Sequence, residues 1–336
     1  MEKAVTPLSV VIPARNSSDT IASVIGPLLE ELTEKDEILV VDDGSNDDTR
    51  EKARELGARV IENTGNPGAA GARNTGAEAS SGEWLLFVDS DAVAPSGWRE
   101  HLQNRIYQGP SAVQATYSPR AKGGAAATFY KNFYYYYTFT RRIKSKFIDG
   151  CGTFFFAVDR KKFSDLRGFD DMIPGATIED ADFAARLTGA GGRILMAPEI
   201  EVLHLREYTF FQLMSYEWRM MRSKTLYLLR RDSLHAYPTV SMAKPHEMLP
   251  VIAGAAAVWL IPFGCAVRGW GYQAGLWIAL AGLLTVVIGH AGFWFSAVRR
   301  GGLRGMLASL ITFPDLALVV PAFFAAVFRR ILGRKY

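Results

Sequence analysis

From Leu249 to Val267, and again from Gln273 to Val298, the chain carries almost no charge. Each run exceeds the roughly 18 residues needed to cross a bilayer. A backbone inside lipid must satisfy its own hydrogen bonds, so helix is the conformation open to both runs. Two spans are therefore expected. A third stretch, Met306 to Phe328, is long enough but holds Pro314, Asp315 and Pro321, so it reads as a kinked span, a re-entrant segment or an interfacial one. Arg219, Arg222, Lys224, Arg230 and Arg231 precede the first run, and Arg299, Arg300 and Arg304 follow the second. Both clusters belong on the cytoplasmic side. The tail Arg329, Arg330, Arg334 and Lys335 is basic as well, which favours a third segment that returns to that side.

The 336 residues leave room for a good-sized domain ahead of these runs. Leu8 to Ile12, Glu37 to Val41, Ala58 to Ile61 and Trp84 to Val88 read as short apolar strands, separated by helical stretches such as Asp47 to Leu56. That rhythm predicts a sheet flanked by helices, with ligands at the carboxyl ends of its strands. No apolar leader precedes the first strand, so this part is expected in the cytoplasm. The net charge of +4 sits mostly beside the apolar runs, which suits anionic lipid and gives no case for nucleic acid. Cys151 and Cys265 fit no metal spacing and are expected as reduced thiols. Glu207 to Arg231 mixes large apolar and basic residues, as amphipathic helices on a membrane surface do. Phe129 to Phe147, with Tyr134 to Tyr137 and four following cations, fits either the headgroup zone or an aromatic core beside a basic face. The expected divisions are 1–205 (catalytic), 206–248 (amphipathic interfacial helices) and 249–336 (membrane region with two or three apolar segments).

The strand Leu85-Leu86-Phe87-Val88 runs into Asp89-Ser90-Asp91. Side chains alternate along a strand, so these carboxylates converge only if the backbone turns at Ser90. Converged, they suit Mg²⁺ or Mn²⁺, which take oxygen ligands and keep positions open for substrate phosphates. A nucleotide or nucleotide-sugar diphosphate is the expected ligand. The plainer reading is a pair of solvated loop acids. Asp42 and Asp43 end an earlier strand, and Gly44 to Asp48 is also good turn and helix-start sequence. The glycines from Gly65 to Gly76 permit close backbone approach to a ligand, or tight helix packing.

Taken together, Val10-Val11-Ile12-Pro13-Ala14-Arg15-Asn16, Val40-Val41-Asp42-Asp43-Gly44-Ser45, Asn66 to Asn74 and Asp89-Ser90-Asp91 resemble the nucleotide-sugar half of family-two glycosyltransferases of membrane-attached bacterial or archaeal type. Gly150-Cys151-Gly152-Thr153, Gly168-Phe169-Asp170 and Glu179-Asp180-Ala181-Asp182 resemble the acceptor half of that family. The resemblance implies a GT-A fold, a Rossmann-like mixed α/β sheet flanked by helices, here followed by an α-helical transmembrane region. It implies that Asp43 recognises the base, uracil or guanine, with Pro13 and Asn16 shaping the pocket. Asp42 assists or only caps its turn. Arg73 and Asn74 fall in the donor-contacting stretch, as a phosphate partner and a phosphate or sugar partner. Asp91 is the implied direct metal ligand, Asp89 binds ribose or reaches the metal through water, and His204 is a further ligand or a structural histidine. Asp180, beside substrate-binding Glu179, is the implied base that removes the acceptor proton. Thr177 to Asp180 also reads as an approximate capping box, and Asp182 with Arg186 as a helix pair.

The expectation is an inverting, metal-dependent transferase moving one sugar, of hexosyl type, from a UDP- or GDP-sugar to a lipid or lipid-linked glycan. Its place is the cell inner membrane, multi-pass, with the catalytic domain cytoplasmic. A polyprenyl-phosphate sugar synthase and a nucleotidyltransferase of related fold are the alternatives.

Overall fold

The computed structural model describes residues 5–120, 122–173, 178–229 and 249–333. Thr177, Arg230, Arg231, Arg334 and Lys335, which carried sequence expectations, lie outside that set. The chain divides into two compact units. One takes in residues up to Ser118 together with Phe139–Arg206, and the other holds Pro119–Thr138, 207–229 and 249–333. The units part after Arg206, and the twenty residues Pro119–Thr138, inside the first of the divisions expected from sequence, belong to the second unit.

Among the described residues the first unit is built on nine strands in the order β3-β2-β1-β4-β8-β6-β9-β5, with β7 (Phe147–Ile148) against β9. Strands β1 (Leu8–Ala14), β2 (Glu37–Asp42), β3 (Arg59–Glu62) and β4 (Trp84–Val88) are parallel. Beyond them β8 (Phe155–Asp159) runs antiparallel to β4 and to β6 (Ala112–Tyr117), so the sheet is mixed. All seven residues of β1 and all five of β4 are buried. Strands covered on both faces read as continuous apolar runs, which is why the sequence exposed them.

Parallel register puts the carboxyl ends of β1, β2 and β4 side by side, with Ala14 opposite Asp42 and Val11 opposite Phe87. The Asn16, Asp43 and Asp89 loops thus leave one edge together. Helix α1 (Ile21–Leu29) follows β1, α2 (Thr49–Glu55) follows β2, and α3 (Ala69–Glu78) connects β3 to β4. Helix α3 is rich in glycine for a packing reason: a Cβ on Gly76 would enter the space of Val11 and Val41, and one on Gly71 that of the Asn66 backbone. Next come β5 (Ala92–Val93), α4 (Trp98–Ile106) and β6. The long β9 (Ile194–His204) begins parallel to β6, shifts register past Ala115, and ends antiparallel to β5 with His204 opposite Ala92. That shift carries His204 to the Asp89–Asp91 corner.

The second unit is helical: α5 (Ala126–Tyr137), α8 (Phe210–Leu228), α9 (Leu249–Ala257), α10 (Leu260–Gly269) and α11 (Ala274–Ile331). Phe129, Tyr130, Phe133 and Tyr136 of α5 share a core with Leu213, Phe293 and Ala297, so these rings take the core role rather than the headgroup one. Thr209 and Gln212 form a reciprocal capping box that starts α8. Helical geometry breaks at Gly302 (φ 54°, ψ −131°), and the arms on either side fold onto each other, with Trp294 Nε1 donating to Thr312 Oγ1 at 3.1 Å. The second arm is continuous helix through Pro314 and Pro321, with no re-entrant reversal inside it. At its end, burial and then the charges of Arg329 and Arg219 hold Arg222 below the ordinary arginine range. The basic end of this arm therefore lies near the basic face of α8.

Candidate active site

The base end of the site is built by backbone turns. Pro13 is buried in β1 opposite Val41. Asn16 sits in the left-handed region (φ 50°), which asparagine tolerates better than most residues. Its side-chain oxygen accepts from Asn46 N at 2.9 Å, and its own N–H donates to Ser45 Oγ at 3.0 Å, tying the β1 loop to the β2 loop. Asp42 is buried, accepts from Ser45 N at 3.1 Å and pairs with Arg50 at 3.6 Å. That geometry closes a turn. Asp43 is half-buried and accepts from Asn63 Nδ2 at 2.7 Å and from Gly68 N at 2.9 Å. Gly68 starts α3 at φ 123°, a conformation that favours glycine, so the glycine stretch also orients the Asp43 carboxylate.

At the next corner the backbone turns at Ser90, closed by Ala92 N donating to Asp89 O at 3.0 Å, with the Asp89 carboxylate on Arg73 and that of Asp91 beside His204. Thr20 Oγ1 donates to Ser90 O at 2.7 Å, and the Ser17 and Ser90 hydroxyls lie 2.8 Å apart. Leu205 N donates to Asp91 O at 2.8 Å. His204, its ring tilted against that of Tyr117 with centroids 5.0 Å apart, presents Nε2 3.4 Å from Asp91 Oδ2. Burial works against the Asp91 charge, but the hydrogen bond and charge of His204 and the charge of Arg206 outweigh it and hold the carboxyl below its usual range. A separation near 3 Å is what two ligands at ~2.1 Å from one cation make, so the pair fits a divalent ion. Among the described residues no group of three acids, histidines or cysteines gathers there. A cation at this corner would draw its remaining ligands from substrate oxygens and water.

Arg73 departs most from expectation. Rather than facing a phosphate, its guanidinium is 3% exposed and bridges Asp89 Oδ1 at 2.7 Å and Glu179 Oε1 at 3.2 Å. Its Nε is buried without a partner. Asn74 is also engaged by protein: it accepts from Phe169 N and donates to Phe169 O, both at 2.9 Å. The α3 residues expected to contact the donor thus fasten the Asp89 loop and the Gly168-Phe169 loop to one helix. Arg186 fixes that loop from its other side, donating to Leu166 O at 2.6 Å and Gly168 O at 2.7 Å while paired with Asp182 at 2.8 Å.

Asp180 lies half-buried in the first turn of α7 (Glu179–Gly189). Ile178 occupies the cap position without a side-chain bond, and the Thr177 end of the anticipated capping box is outside the described residues. The positive end of a helix favours an ionised carboxylate at this place. Cys151 Sγ donates to Asp180 O at 3.2 Å, and Gly152 N donates to Gln114 Oε1 at 2.7 Å. Burial, then the nearby Asp180 charge, pushes the Cys151 thiol well up, so it is a hydrogen-bond donor and no nucleophile. Sequence reasoning missed Ser17, Thr20, Asn63, Gln114 and Arg206. Of these Arg206 alone carried a readable signal, two residues past His204.

The family model for Glycosyl transferase family 2 matches residues 9–167. The chain carries a family-two glycosyltransferase domain. Over 149 residues, 38% of this chain and 43% of the relative, the domain is 36% identical to glucosyl-3-phosphoglycerate synthase of Mycolicibacterium paratuberculosis. Over 89 residues, 26% of this chain and 35% of the relative, it is 37% identical to UDP-Glc:alpha-D-GlcNAc-diphosphoundecaprenol beta-1,3-glucosyltransferase WfgD of Escherichia coli. The match thus spans less than half the length of either. Mannosyltransferase PcManGT from Pyrobaculum calidifontis, solved with GDP-Man and Mn²⁺, superposes with a TM-score of 0.56 at 17% identity, covering 97% of this chain and 87% of that one. This likeness establishes the GT-A fold of the glycosyltransferase domain.

Proposed function

We propose that the protein transfers one sugar, with inversion, from a nucleotide-sugar diphosphate to a lipid or lipid-linked glycan at the cytoplasmic face of a membrane. The observation that carries this reading is the buried Arg73, which joins the Asp89 side of the donor corner to Glu179, the neighbour of Asp180. That bridge supports a reading in which Asp89 at the donor side and Asp180 at the acceptor side share one frame. The family membership supports sugar transfer, and the names of the relatives above supply precedent for UDP-Glc or GDP-Man, Mn²⁺ and a lipid-diphosphate acceptor.

In this reading Asp43 orients the base, while Asn16 and Pro13 shape the pocket. Asp91 and His204 hold Mg²⁺ or Mn²⁺, which when bound offsets charge on the leaving diphosphate. Asp89, held by Arg73, faces the donor. Asp180 takes the proton from the acceptor hydroxyl as that hydroxyl attacks the anomeric carbon, so the acceptor arrives on the face opposite the diphosphate. Arg73 and Asn74 act as positioning residues, each through a loop it holds.

Membrane attachment rests on two helical segments long and apolar enough to cross a bilayer, 249–269 and 274–331, whose most apolar windows are only 28% and 33% buried. Trp277, Ile288 and Phe295 are about 70% exposed, a surface that lipid covers well and water does not. The test supplies the full chain, in native membrane lipids, with a panel of UDP- and GDP-sugars and Mn²⁺ or Mg²⁺, and detects product by mass. A lipid gaining one sugar, lost on chelation, supports the reading. Pyrophosphate release from a sugar phosphate and nucleotide, without glycosylated lipid, sinks it.

A further inference from the structure

The helical unit holds a cavity of ≈ 200 Å³ whose polar wall includes Tyr130, Lys131, Glu217, Lys224, His290 and Asp315. Tyr130 donates to Asp315 Oδ2 at 2.6 Å, whereas Asp315 Oδ1 is buried and has no partner. The side chain belongs to a residue 9% exposed, inside a stretch, 305–328, that holds no other charged residue. A buried carboxylate oxygen left without a donor costs free energy that a ligand donor would recover. Two of the other groups are already paired with each other. Lys131 Nζ donates to Glu217 Oε1 at 2.6 Å and lies over the rings of Tyr135 and Tyr216, 4.8 and 4.0 Å from their centroids.

Two lysines face two carboxylates around this space, so the formal charges cancel. A phosphate would need uncompensated cations, and an ammonium group uncompensated anions. An uncharged group with hydroxyls needs neither. At ~30 Å³ of liquid per water molecule, the space equals roughly half a dozen waters, enough for one hydroxylated ring or a glycerol unit and too little for a nucleotide. Tyr134, Tyr135 and Phe293 offer aromatic faces to its C–H surface. Val251, Leu316 and Val319 continue the wall with hydrocarbon.

We propose that this cavity binds the uncharged, hydroxyl-bearing headgroup of an amphiphile, with a headgroup hydroxyl donating to Asp315 Oδ1 and the alkyl chain along Val251, Leu316 and Val319. The inference concerns binding alone and stands apart from sugar transfer.

The test uses the full chain in phosphatidylcholine nanodiscs without any sugar donor, and a photoreactive octyl β-glucoside carrying a diazirine in its chain. Cross-links are mapped by mass. Saturable labelling of peptides holding Val251, Leu316 or Val319 is expected. Unlabelled octyl glucoside should compete, and octyl phosphate, octyltrimethylammonium and free glucose at equal concentration should not. Asp315→Leu should lower labelling at least about fivefold. Because that change strands the Tyr130 hydroxyl, the pair Tyr130→Phe/Asp315→Leu removes both polar ends and should show the same loss. Undiminished labelling of the folded pair overturns the proposal. So does competition by octyl phosphate equal to that of the glucoside, by free glucose, or an absence of saturable labelling, and these arms need no variant. Failure here leaves the transfer reading untouched, since no donor is present.

Discussion

Asp180 and Arg73 separate chemistry from framework. Asp180→Asn keeps the size and neighbours of the side chain but removes its basicity, so transfer should fall about 10²–10⁴-fold while donor affinity, read by equilibrium binding, stays within about threefold. Unchanged single-turnover transfer excludes Asp180 as the base. Arg73→Met leaves Asp89 and Glu179 facing each other without a cation, and breaking a buried ion network in this way costs about 3–5 kcal/mol; a thermal midpoint unmoved from that of the native chain contradicts the bridging role. Asp47 gives a pH signature. Burial works to raise its carboxyl, but hydrogen bonds from Thr49 and Ser18 together outweigh it and bring it from 3.8 to about 2. A depressed carboxyl stabilises the fold fully above its unfolded value and loses that contribution as pH falls through the folded one. Stability of the native chain should therefore drop between about pH 4 and about pH 2 more steeply than that of Asp47→Asn, measured by denaturant midpoints.

Among the elements, α3 is the tightest fit. Gly71→Ala would drive a methyl into the Asn66 backbone, with no flexible side chain to yield, and should destabilise by about 1–3 kcal/mol. Because the same loop carries Gly68, nucleotide affinity should fall with stability; a variant as stable as the parent would refute the packing account. This part of the molecule was largely legible beforehand. Strands β1, β2 and β4 announce themselves as short apolar runs, and their acids mark the ligand edge. Arg73 was not, since nothing local distinguishes a guanidinium facing phosphate from one facing two carboxylates of distant sequence. His204 could be placed only by resemblance, because the register shift in β9 that delivers it has no counterpart in composition. The run Phe129 to Tyr137 declares an aromatic helix but not what covers it.

Across the whole molecule, the chain leaves and re-enters the sheet-bearing unit around Pro119–Thr138. In the proposed membrane-attached reading, the charge pattern and the proximity of Arg329 to Arg222 predict that the Gly302 bend and the end of α11 both face the cytoplasm. In a chain with Cys151→Ser and Cys265→Ser, Leu303→Cys and Leu332→Cys should both react with a membrane-impermeant maleimide in inverted vesicles and stay unreactive in intact cells. Labelling of Leu332→Cys from outside alone would make the last arm a full span. The interleaving also sets an order of events at the ribosome. Helix α5 emerges with Phe129, Phe133 and Tyr136 ready to pack, yet Ala308 and Ile311 of the same core follow about 170 residues later, on the order of ten to thirty seconds at ordinary elongation rates. For that interval the nascent chain carries an uncovered aromatic face between two halves of a sheet that can already pair, which makes early delivery to the bilayer, or a chaperone at that face, a condition of its yield.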